Sequence, residues 1–387
     1  MSLRPVNRRE FLDTCAVAGA ALGVAPFLGS GRLGQLLPTP VVEEIGNVAS
    51  HRALFWRPVQ GKETECLLCP SRCVIQPGER GTCGVRENED GAYVSKVYGK
   101  PCEIKLEHME KGPFYHFLPR TWTIGLGFAG CNLDCKYCQS ASFAKARPET
   151  TDNKDLSPEG LVKQLKQYGY DSVTFTYSEP LQVIEYVLDV AKLARPQGIR
   201  VAVHTAAFAL SEPFEALCNA VDAINIDLKG FSESFYRSTT GGSLEPVLNN
   251  IKRVRRHPNV WLELTNLVVP GYNDRDAEFA SMCRWIVENC GPATPLHVSK
   301  FFPAYKLRNV PPTPNDTLRR LRKVAYDNGL QYVYLGNMPG DPGESTFCPK
   351  CGAKLIYRNN YESTFVEFDG KRGVCLCCGL KIPGVWT

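Results

Sequence analysis

Short runs of β-branched and other apolar residues alternate with amphipathic segments between residues 121 and 337. The apolar runs predict strands over 121–127, 172–176, 200–205, 222–228, 260–268, 295–301 and 332–336. Between them, apolar residues recur three or four positions apart, as at Leu161, Leu165 and Tyr168, which is typical of helices with one buried face. Repeated strand-helix units predict an α/β fold, a parallel sheet covered by helices that is either doubly wound or a full or partial barrel.

Polar residues stand where several of these strands end. In either architecture the active residues come from the carboxyl ends of the strands, so these positions are candidates for a site. They are Ser178 and Glu179, then His204, and then Asn225, Asp227 and Lys229. The fifth strand, over 262–271, and His297 near the start of the sixth are expected to line the same site. Two alternatives stay open, because Glu179 also suits the first turn of the helix that follows it, and His297 also suits a structural role.

Composition gives one anomaly, the 17 cysteines among 387 residues. A chain of this length with 43% hydrophobic residues does not need a disulfide framework, which is a device of small secreted domains. The net charge of +5 gives no strong signal for a nucleic-acid partner. Basic runs at 252–256 and 319–323 are interpreted as solvated helix faces.

The first thirty residues form a separate segment. Arg8 and Arg9 precede a weakly apolar stretch that Pro26 interrupts and that is too short to span a bilayer. This pattern resembles a twin-arginine export signal over residues 1–30, followed by a linker over 31–60, and the alternative is a basic tail with a chance Arg-Arg pair. Export to the periplasm and a cytoplasmic location both stay open.

A glycine-rich stretch, Gly125-Leu126-Gly127-Phe128-Ala129-Gly130, follows the first predicted strand and matches the spacing of a dinucleotide-binding loop. A dinucleotide site needs a helix directly afterwards, and cysteines follow here instead. We therefore expect the glycines to allow close approach of the backbone to another group.

Three cysteines, Cys131, Cys135 and Cys138, follow with the spacing C-x3-C-x2-C. A tetrahedral zinc site normally takes four ligands in two pairs, whereas a [4Fe-4S] cluster held by three thiolates keeps one iron open. A loop after a strand of a parallel sheet favours the cluster over a part of a structural zinc site.

Two further cysteine sets flank this region. Before it lie Cys66, Cys69, Cys73 and Cys83, whose spacing suits a structural zinc or a second iron-sulfur cluster; zinc or a small redox site is favoured because no apolar shell is obvious. After it lie Cys348, Cys351, Cys375 and Cys378, two C-x2-C-G knuckles that predict a zinc ribbon. Cys377 is then a spare thiol or a competing ligand for Cys378, and a free-thiol tail is the alternative for the whole set.

The central triplet, with Tyr137 before its last cysteine, resembles the cluster loop of the radical SAM superfamily. The order CxLCPxxC, GxxGxCGVR, Tyr-Ser-Glu-Pro, Asp-Leu-Lys-Gly, LGN-x-PG and CPxCG is similar to the AmmeMemoRadiSam system radical SAM enzyme family, which is related to the activases of pyruvate formate-lyase. The resemblance implies a partial (β/α)6 barrel of TIM type over 116–337, an N-terminal Cys-rich segment over 61–115 and a zinc-ribbon-like C-terminal domain over 338–387.

The resemblance also implies an activity. The [4Fe-4S] cluster on Cys131, Cys135 and Cys138 cleaves S-adenosylmethionine reductively, and the 5′-deoxyadenosyl radical takes hydrogen from a substrate, which in activases is a protein. The implied reductant is a flavodoxin or ferredoxin. The implied cofactor contacts are Tyr137, Ser178, Glu179, His204, Asn225, Asp227 and Lys229. Two alternatives stay open, an iron-sulfur electron-transfer or assembly module without S-adenosylmethionine cleavage, and an RNA-modifying radical SAM enzyme.

Overall fold

The computed structural model describes residues 47–387. The predicted leader and most of the predicted linker lie outside these residues. The described part begins with six short strands, β1 His51–Arg52, β2 Trp56–Pro58, β3 Thr64–Cys66, β4 Val74–Ile75, β5 Arg86–Glu89 and β6 Ala92–Ser95. They form two antiparallel sheets, in the orders β1-β6-β5 and β2-β3-β4.

The main sheet has eight strands that neighbour one another in chain order. Its strands are β7 Glu103–His108, β8 Trp122–Gly127, β9 Ser172–Phe175, β10 Arg200–Thr205, β11 Ala223–Asp227, β12 Trp261–Val268, β13 Leu296–Lys300 and β14 Val333–Gly336. Strands β8 to β14 run parallel, and β7 pairs antiparallel with β8. All seven predicted strands are present within one residue at each end, and the predicted α/β fold is confirmed.

Helices connect the parallel strands. They are α1 Ala141–Ala144, α2 Pro158–Tyr168, α3 Ile184–Ala194, α4 Ser211–Ala220, α5 Glu233–Phe235, α6 Leu244–Val254, α7 Asp276–Cys290 and α8 Asn315–Asp327. Local chemistry sets the ends of α2: the Ser157 side chain accepts a hydrogen bond from the Gly160 backbone N–H, and Gly169 ends the helix with a left-handed φ of 70°. Among the described residues, no helix has the length and hydropathy to cross a bilayer.

The floor of the barrel is a loop over residues 109–121, here named the floor loop. Its apolar residues pack against the amino-terminal halves of β10 and β11. The backbone N–H groups of Tyr115 and His116 donate to the buried Glu263 carboxylate of β12 at 3.0 and 2.8 Å, and His297 Nε2 lies 2.6 Å from the same carboxylate. Because a buried carboxylate needs such partners, the floor loop and the sheet are held together by polar as well as apolar contacts.

The C-terminal segment packs under the floor loop. It contains β15 Thr346–Phe347, β16 Lys354–Asn359, β17 Glu362–Phe365, β18 Phe368–Asp369 and β19 Val374–Cys375. The buried Arg358 of β16 donates to the Tyr115 carbonyl at 2.8 Å, and Val385 forms a parallel bridge with Phe117. The predicted domain boundaries at 61, 116 and 338 stay predictions.

Candidate active site

A cavity of about 320 Å³ opens at the carboxyl ends of the parallel strands. Its volume lies in the range of roughly 300–1,000 Å³ that is typical of small-molecule sites. Nine of the ten residues predicted as cluster ligands or cofactor contacts line it together, namely Cys131, Cys135, Cys138, Tyr137, Ser178, Glu179, His204, Asp227 and Lys229. His297 lines it as well. Residues that lie up to 98 positions apart in the chain therefore share one small space.

The loop that carries the cysteine triplet is held by backbone contacts. Backbone N–H groups of Asp134 and Lys136 donate to the carbonyls of Thr240 and Thr239 at 2.7 and 2.9 Å. Burial raises the pKa of the Cys131 thiol to about 12 and also raises that of Cys135. A bound metal cation stabilises thiolates in such surroundings, so three fixed cysteines around one cavity fit an iron-sulfur cluster.

The glycines before this loop permit close packing. A Cβ on Gly125 would lie 2.7 Å from Tyr177 Oη, and a Cβ on Gly130 would lie 2.4 Å from Val85 Cγ1. Gly130 also has a φ of 86°, which disfavours any other residue. The backbone is thus closely approached at both glycines, and the approaching groups are side-chain and backbone atoms of the protein itself.

Glu179 caps the helical turn that follows it and also lines the cavity. Its Oε1 accepts from the Leu181 backbone N–H at 3.1 Å and from Thr205 Oγ1 at 2.6 Å, and its Oε2 accepts from the Ala206 backbone N–H at 2.9 Å. Burial raises the pKa of Glu179, and these donors act against that shift. A carboxylate has about four acceptor positions, so three bonds leave one for a ligand in the cavity.

Asp227 is the centre of a charged group at the carboxyl ends of β10 and β11. Its Oδ1 lies 3.0 Å from His204 Nε2, and its Oδ2 lies 2.8 Å from Lys229 Nζ. Burial alone would raise the pKa of Asp227, but the charges of Lys229 and His204 outweigh it and hold that pKa well below its usual range. Asp227 in turn holds the pKa of Lys229 well above its usual range, against burial. A fixed cation therefore faces the cavity.

Asn225 is the predicted cofactor contact that the structure does not bring to the cavity wall. Its Nδ2 donates to the Pro113 carbonyl of the floor loop at 2.7 Å, and its Oδ1 accepts from Thr265 Oγ1 at 2.8 Å. It lies two residues, about 6.6 Å, deeper in β11 than Asp227. At that depth the floor loop occupies the interior, so Asn225 supports the floor.

Most of the far wall of the cavity was not predicted from the sequence, which indicated only the fifth strand and His297 there. It is formed by the floor loop, the ends of β12 to β14 and a C-terminal residue, and includes Glu110, Lys111, Tyr115, Thr265, Ser299, Asn337 and Tyr361. Tyr361 lies between β16 and β17, and its ring centroid is 4.6 Å from Lys111 Nζ. The motif LGN-x-PG contains Asn337, but no spacing signal connects Tyr361 with the barrel.

The C-terminal cysteines form a compact group. The ligand atoms of Cys348, Cys351, Cys375 and Cys378 all lie within 4.8 Å of one another, with Sγ–Sγ distances of 3.6 Å for Cys348–Cys378 and 3.7 Å for Cys351–Cys375. Zinc-sulfur bonds of about 2.3 Å in a tetrahedron place the sulfurs ~3.8 Å apart. The group therefore fits a single tetrahedral metal ion.

The N-terminal cysteines lie on the β3–β4 hairpin and the loop before β5. Cys66 and Cys69 are buried, and Cys73 and Cys83 are half-buried. Within residues 47–387, they do not close into a group as compact as the C-terminal one.

Comparisons with known proteins identify a matching family model and several similar proteins. The family model described as the radical SAM superfamily matches residues 127–283. An uncharacterized protein of Methanocaldococcus jannaschii is 38% identical over 330 residues, which cover 85% of this chain and 98% of that protein. The pyruvate formate-lyase-activating enzyme of Clostridium pasteurianum is 26% identical over 217 residues, covering 51% of this chain and 87% of that enzyme. The structure of a domain of a pyruvate-formate lyase-activating enzyme from Bacteroides vulgatus aligns with a TM-score of 0.38 at 21% identity, covering 43% of this chain and 98% of that one.

Proposed function

The chain belongs to the radical SAM superfamily, and from this premise we propose that it is an enzyme that cleaves S-adenosylmethionine reductively. One electron from a [4Fe-4S] cluster breaks the sulfur–C5′ bond, which yields methionine and a 5′-deoxyadenosyl radical that takes a hydrogen atom from the substrate. The observation that carries the proposal is the cavity in which three thiols, a buried carboxylate and a fixed cation face one another.

Different residues of the cavity would bind the cluster and the different groups of the cofactor. Cys131, Cys135 and Cys138 would ligate three irons, which leaves the fourth for the amino and carboxylate groups of the cofactor. Glu179 has a free acceptor position for the methionine ammonium, and Lys229 offers a cation for the methionine carboxylate. Asp227 keeps Lys229 charged and fixes His204 at the ribose side.

The proposal is tested by anaerobic reconstitution with iron and sulfide, followed by reduction with dithionite in the presence of S-adenosylmethionine. We expect release of 5′-deoxyadenosine and a change in the electron paramagnetic resonance spectrum of the reduced cluster when S-adenosylmethionine is added. Failure of the intact protein to release the nucleoside contradicts the proposal. A reducible cluster whose electron paramagnetic resonance spectrum does not change when S-adenosylmethionine is added would favour the electron-transfer alternative instead.

Replacing Asp227 with asparagine should weaken S-adenosylmethionine binding at least tenfold, about 1.4 kcal/mol. The change removes the carboxylate that compensates Lys229, and breaking a buried pair from one side costs roughly 3–5 kcal/mol. Equilibrium dialysis with labelled S-adenosylmethionine measures the affinity, and iron content checks that the cluster stays.

The matched control is Asp222→Asn. Asp222 is also buried, and it accepts from the Val201 backbone N–H at 2.9 Å at the amino end of the same strand pair, outside the cavity wall. This variant should lower the melting temperature and leave the affinity unchanged. Equal affinity losses in both variants would show that Asp227 acts only through stability.

For the substrate we propose a protein, because sequence relatives include enzymes named as activating pyruvate formate-lyase and 4-hydroxyphenylacetate decarboxylase. The reductant would be a flavodoxin or ferredoxin. Turnover in deuterated cell-extract fractions should transfer deuterium into 5′-deoxyadenosine from a protein fraction. Transfer from an RNA fraction would favour the RNA-modifying alternative, which the basic runs support weakly because Arg253 and Arg319 are paired with Glu215 and Asp341.

For the C-terminal cysteine group we propose a structural zinc ion. All four positions of the tetrahedron are cysteine sulfurs, which leaves no open position for a substrate. The ion would brace the segment that carries Tyr361 to the cavity. We expect metal analysis to find one zinc ion per chain in the purified protein and none when the cysteines of this group are mutated.

A further inference from the structure

The N-terminal cysteines converge through the geometry of one hairpin. The β3–β4 register places Cys66 opposite Cys73, whose carbonyl accepts from the Cys66 backbone N–H at 2.9 Å. Directly opposed residues project to the same face of a hairpin. Cys69 lies in the turn between the two strands. The following loop approaches from outside, because a Cβ on Gly81 would lie 3.5 Å from Cys73 Sγ, and Cys83 follows two residues later.

A second contact brings the following loop onto the hairpin. Cys73 Sγ lies 3.6 Å from Thr82 Oγ1, and Thr82 directly precedes Cys83. Four cysteines of one hairpin and one adjoining loop can therefore share a metal centre, which stabilises thiolates.

Part of this set lies in the apolar core, which the sequence did not reveal. Leu68, Ile75 and Val85 are at most 2% exposed and belong to the same core cluster as Cys66 and Cys69. Low exposure to water is one of the factors that tune an iron-sulfur centre. The lack of an apolar shell, which was the reason for favouring zinc at this site, therefore does not hold for Cys66 and Cys69, whereas Cys73 and Cys83 are half-buried.

The distances between the cysteine sulfurs distinguish a site for a single metal ion from a site for a cluster. The C-terminal group closes to the distances of a single ion, whereas within residues 47–387 neither the central triplet nor the N-terminal set does so. A cubane cluster carries each thiolate on its own iron and holds the sulfurs farther apart than one ion does. We propose that Cys66, Cys69, Cys73 and Cys83 bind a second [4Fe-4S] cluster, with every iron ligated by a thiolate.

The second cluster would lie directly behind the catalytic loop. A Cβ on Gly130, the residue before Cys131, would lie 2.7 Å from the Cys83 carbonyl oxygen. The turn that holds Cys69 is joined to the barrel by a hydrogen bond from the Leu210 backbone N–H to the Leu68 carbonyl at 3.1 Å. The two cysteine loops are thus in contact through their backbones.

A fully thiolate-ligated cluster has no open iron for a substrate, so its chemistry is one-electron transfer. The second cluster takes one electron from a reductant of the flavodoxin or ferredoxin class and passes it to the catalytic cluster. This transfer step rests on the proposed function, but the existence of the site does not. The two are therefore tested separately.

The test uses a full-length Cys131→Ala/Cys135→Ala/Cys138→Ala variant, reconstituted anaerobically with iron and sulfide. We expect it to keep about four iron and four sulfide per chain. On reduction it should give an electron paramagnetic resonance signal that S-adenosylmethionine does not alter. Adding Cys66→Ala and Cys83→Ala should remove both the iron and the signal, whereas adding Cys102→Ala and Cys218→Ala should leave them.

Several outcomes overturn the proposal. They are loss of all iron in the triple variant, a second zinc ion per chain, or iron that persists after Cys66 and Cys83 are replaced. If the combined variants fail to fold, Cys73→Ser replaces them, since this half-buried thiol can be exchanged with less disturbance and should still change the signal. None of these readouts depends on S-adenosylmethionine cleavage, so the proposed function can fail independently.

The proximity of the two clusters can be measured through the interaction of their electron spins. When both clusters of the unaltered protein are reduced, their spins should interact and broaden the spectrum relative to the triple variant. A spectrum equal to the sum of two independent signals would contradict an arrangement in which the cysteine loops touch.

Discussion

Replacing Cys135 with alanine is expected to abolish the release of 5′-deoxyadenosine. Cys135 is the middle ligand of the triplet, it lines the cavity, and its backbone carbonyl accepts from the Cys138 N–H at 3.1 Å. With two thiolates left, a cluster has neither its third attachment nor a defined open iron. Chromatography of the nucleoside product and iron analysis measure the two effects, and iron should fall by about four per chain.

The matched control for this variant is Cys218→Ala. Cys218 is a buried cysteine of α4 that does not line the cavity. Its replacement should cost a little stability and leave product release intact. Undiminished release from the Cys135 variant would show that the triplet is not the catalytic ligand set. If both variants lose activity together with their cooperative unfolding transition, the Cys135 effect is one of folding and the assigned role fails.

Replacing Cys375 with serine should strip the metal ion from the C-terminal group and destabilise the segment that follows β14. Apparent binding free energies of structural zinc in small domains are about 10–16 kcal/mol, so loss of one ligand removes several kcal/mol. The cavity should suffer as well, because Ser363 donates to Glu110 and Arg358 donates to the Tyr115 carbonyl. Zinc content, limited proteolysis after residue 345 and the rate of product release report these effects.

The chain supplies its own control in Cys377→Ser. Cys377 lies between two ligands but is exposed, and its Sγ is 3.5 Å from Glu367 Oε2. It does not belong to the compact group, so its replacement should keep zinc, proteolytic resistance and activity. Equal zinc loss in both variants would contradict the assignment of Cys375 as the ligand and Cys377 as spare.

The sequence predicted the parallel strands well because they are short, mostly apolar runs whose side chains are largely buried on both faces. It did not predict β7, whose residues Glu103 to His108 alternate between charged and apolar positions. Such alternation is typical of a strand exposed on one face and suits an edge strand, where charge discourages further pairing, but it lacks the continuous apolar run of the other strands.

The candidate site also has a part that the sequence predicted and a part that it did not. The cysteine triplet and Glu179 could be predicted because local spacing and a strand end identify them. The far wall could not, because its contacts join distant parts of the chain: Lys111 and Tyr361 are 250 positions apart, and Glu110 and Ser363 are 253 apart. Asn225 shows a third case, in which the residue type was right for a ligand contact but its depth along the strand was not.

The contacts between the floor loop and residues 383–385 affect how the chain folds during its synthesis. His116 Nδ1 lies 2.7 Å from the Pro383 carbonyl across 267 positions, and Leu118 and His116 exchange backbone hydrogen bonds with Val385. During synthesis on the ribosome, the floor loop therefore lacks these contacts until residues 383–385 leave the ribosome. Domains whose contacts are this distant in sequence fold slowly and expose apolar surface meanwhile. Nascent chains halted before residue 383 would present Phe117 and Trp261 to chaperones.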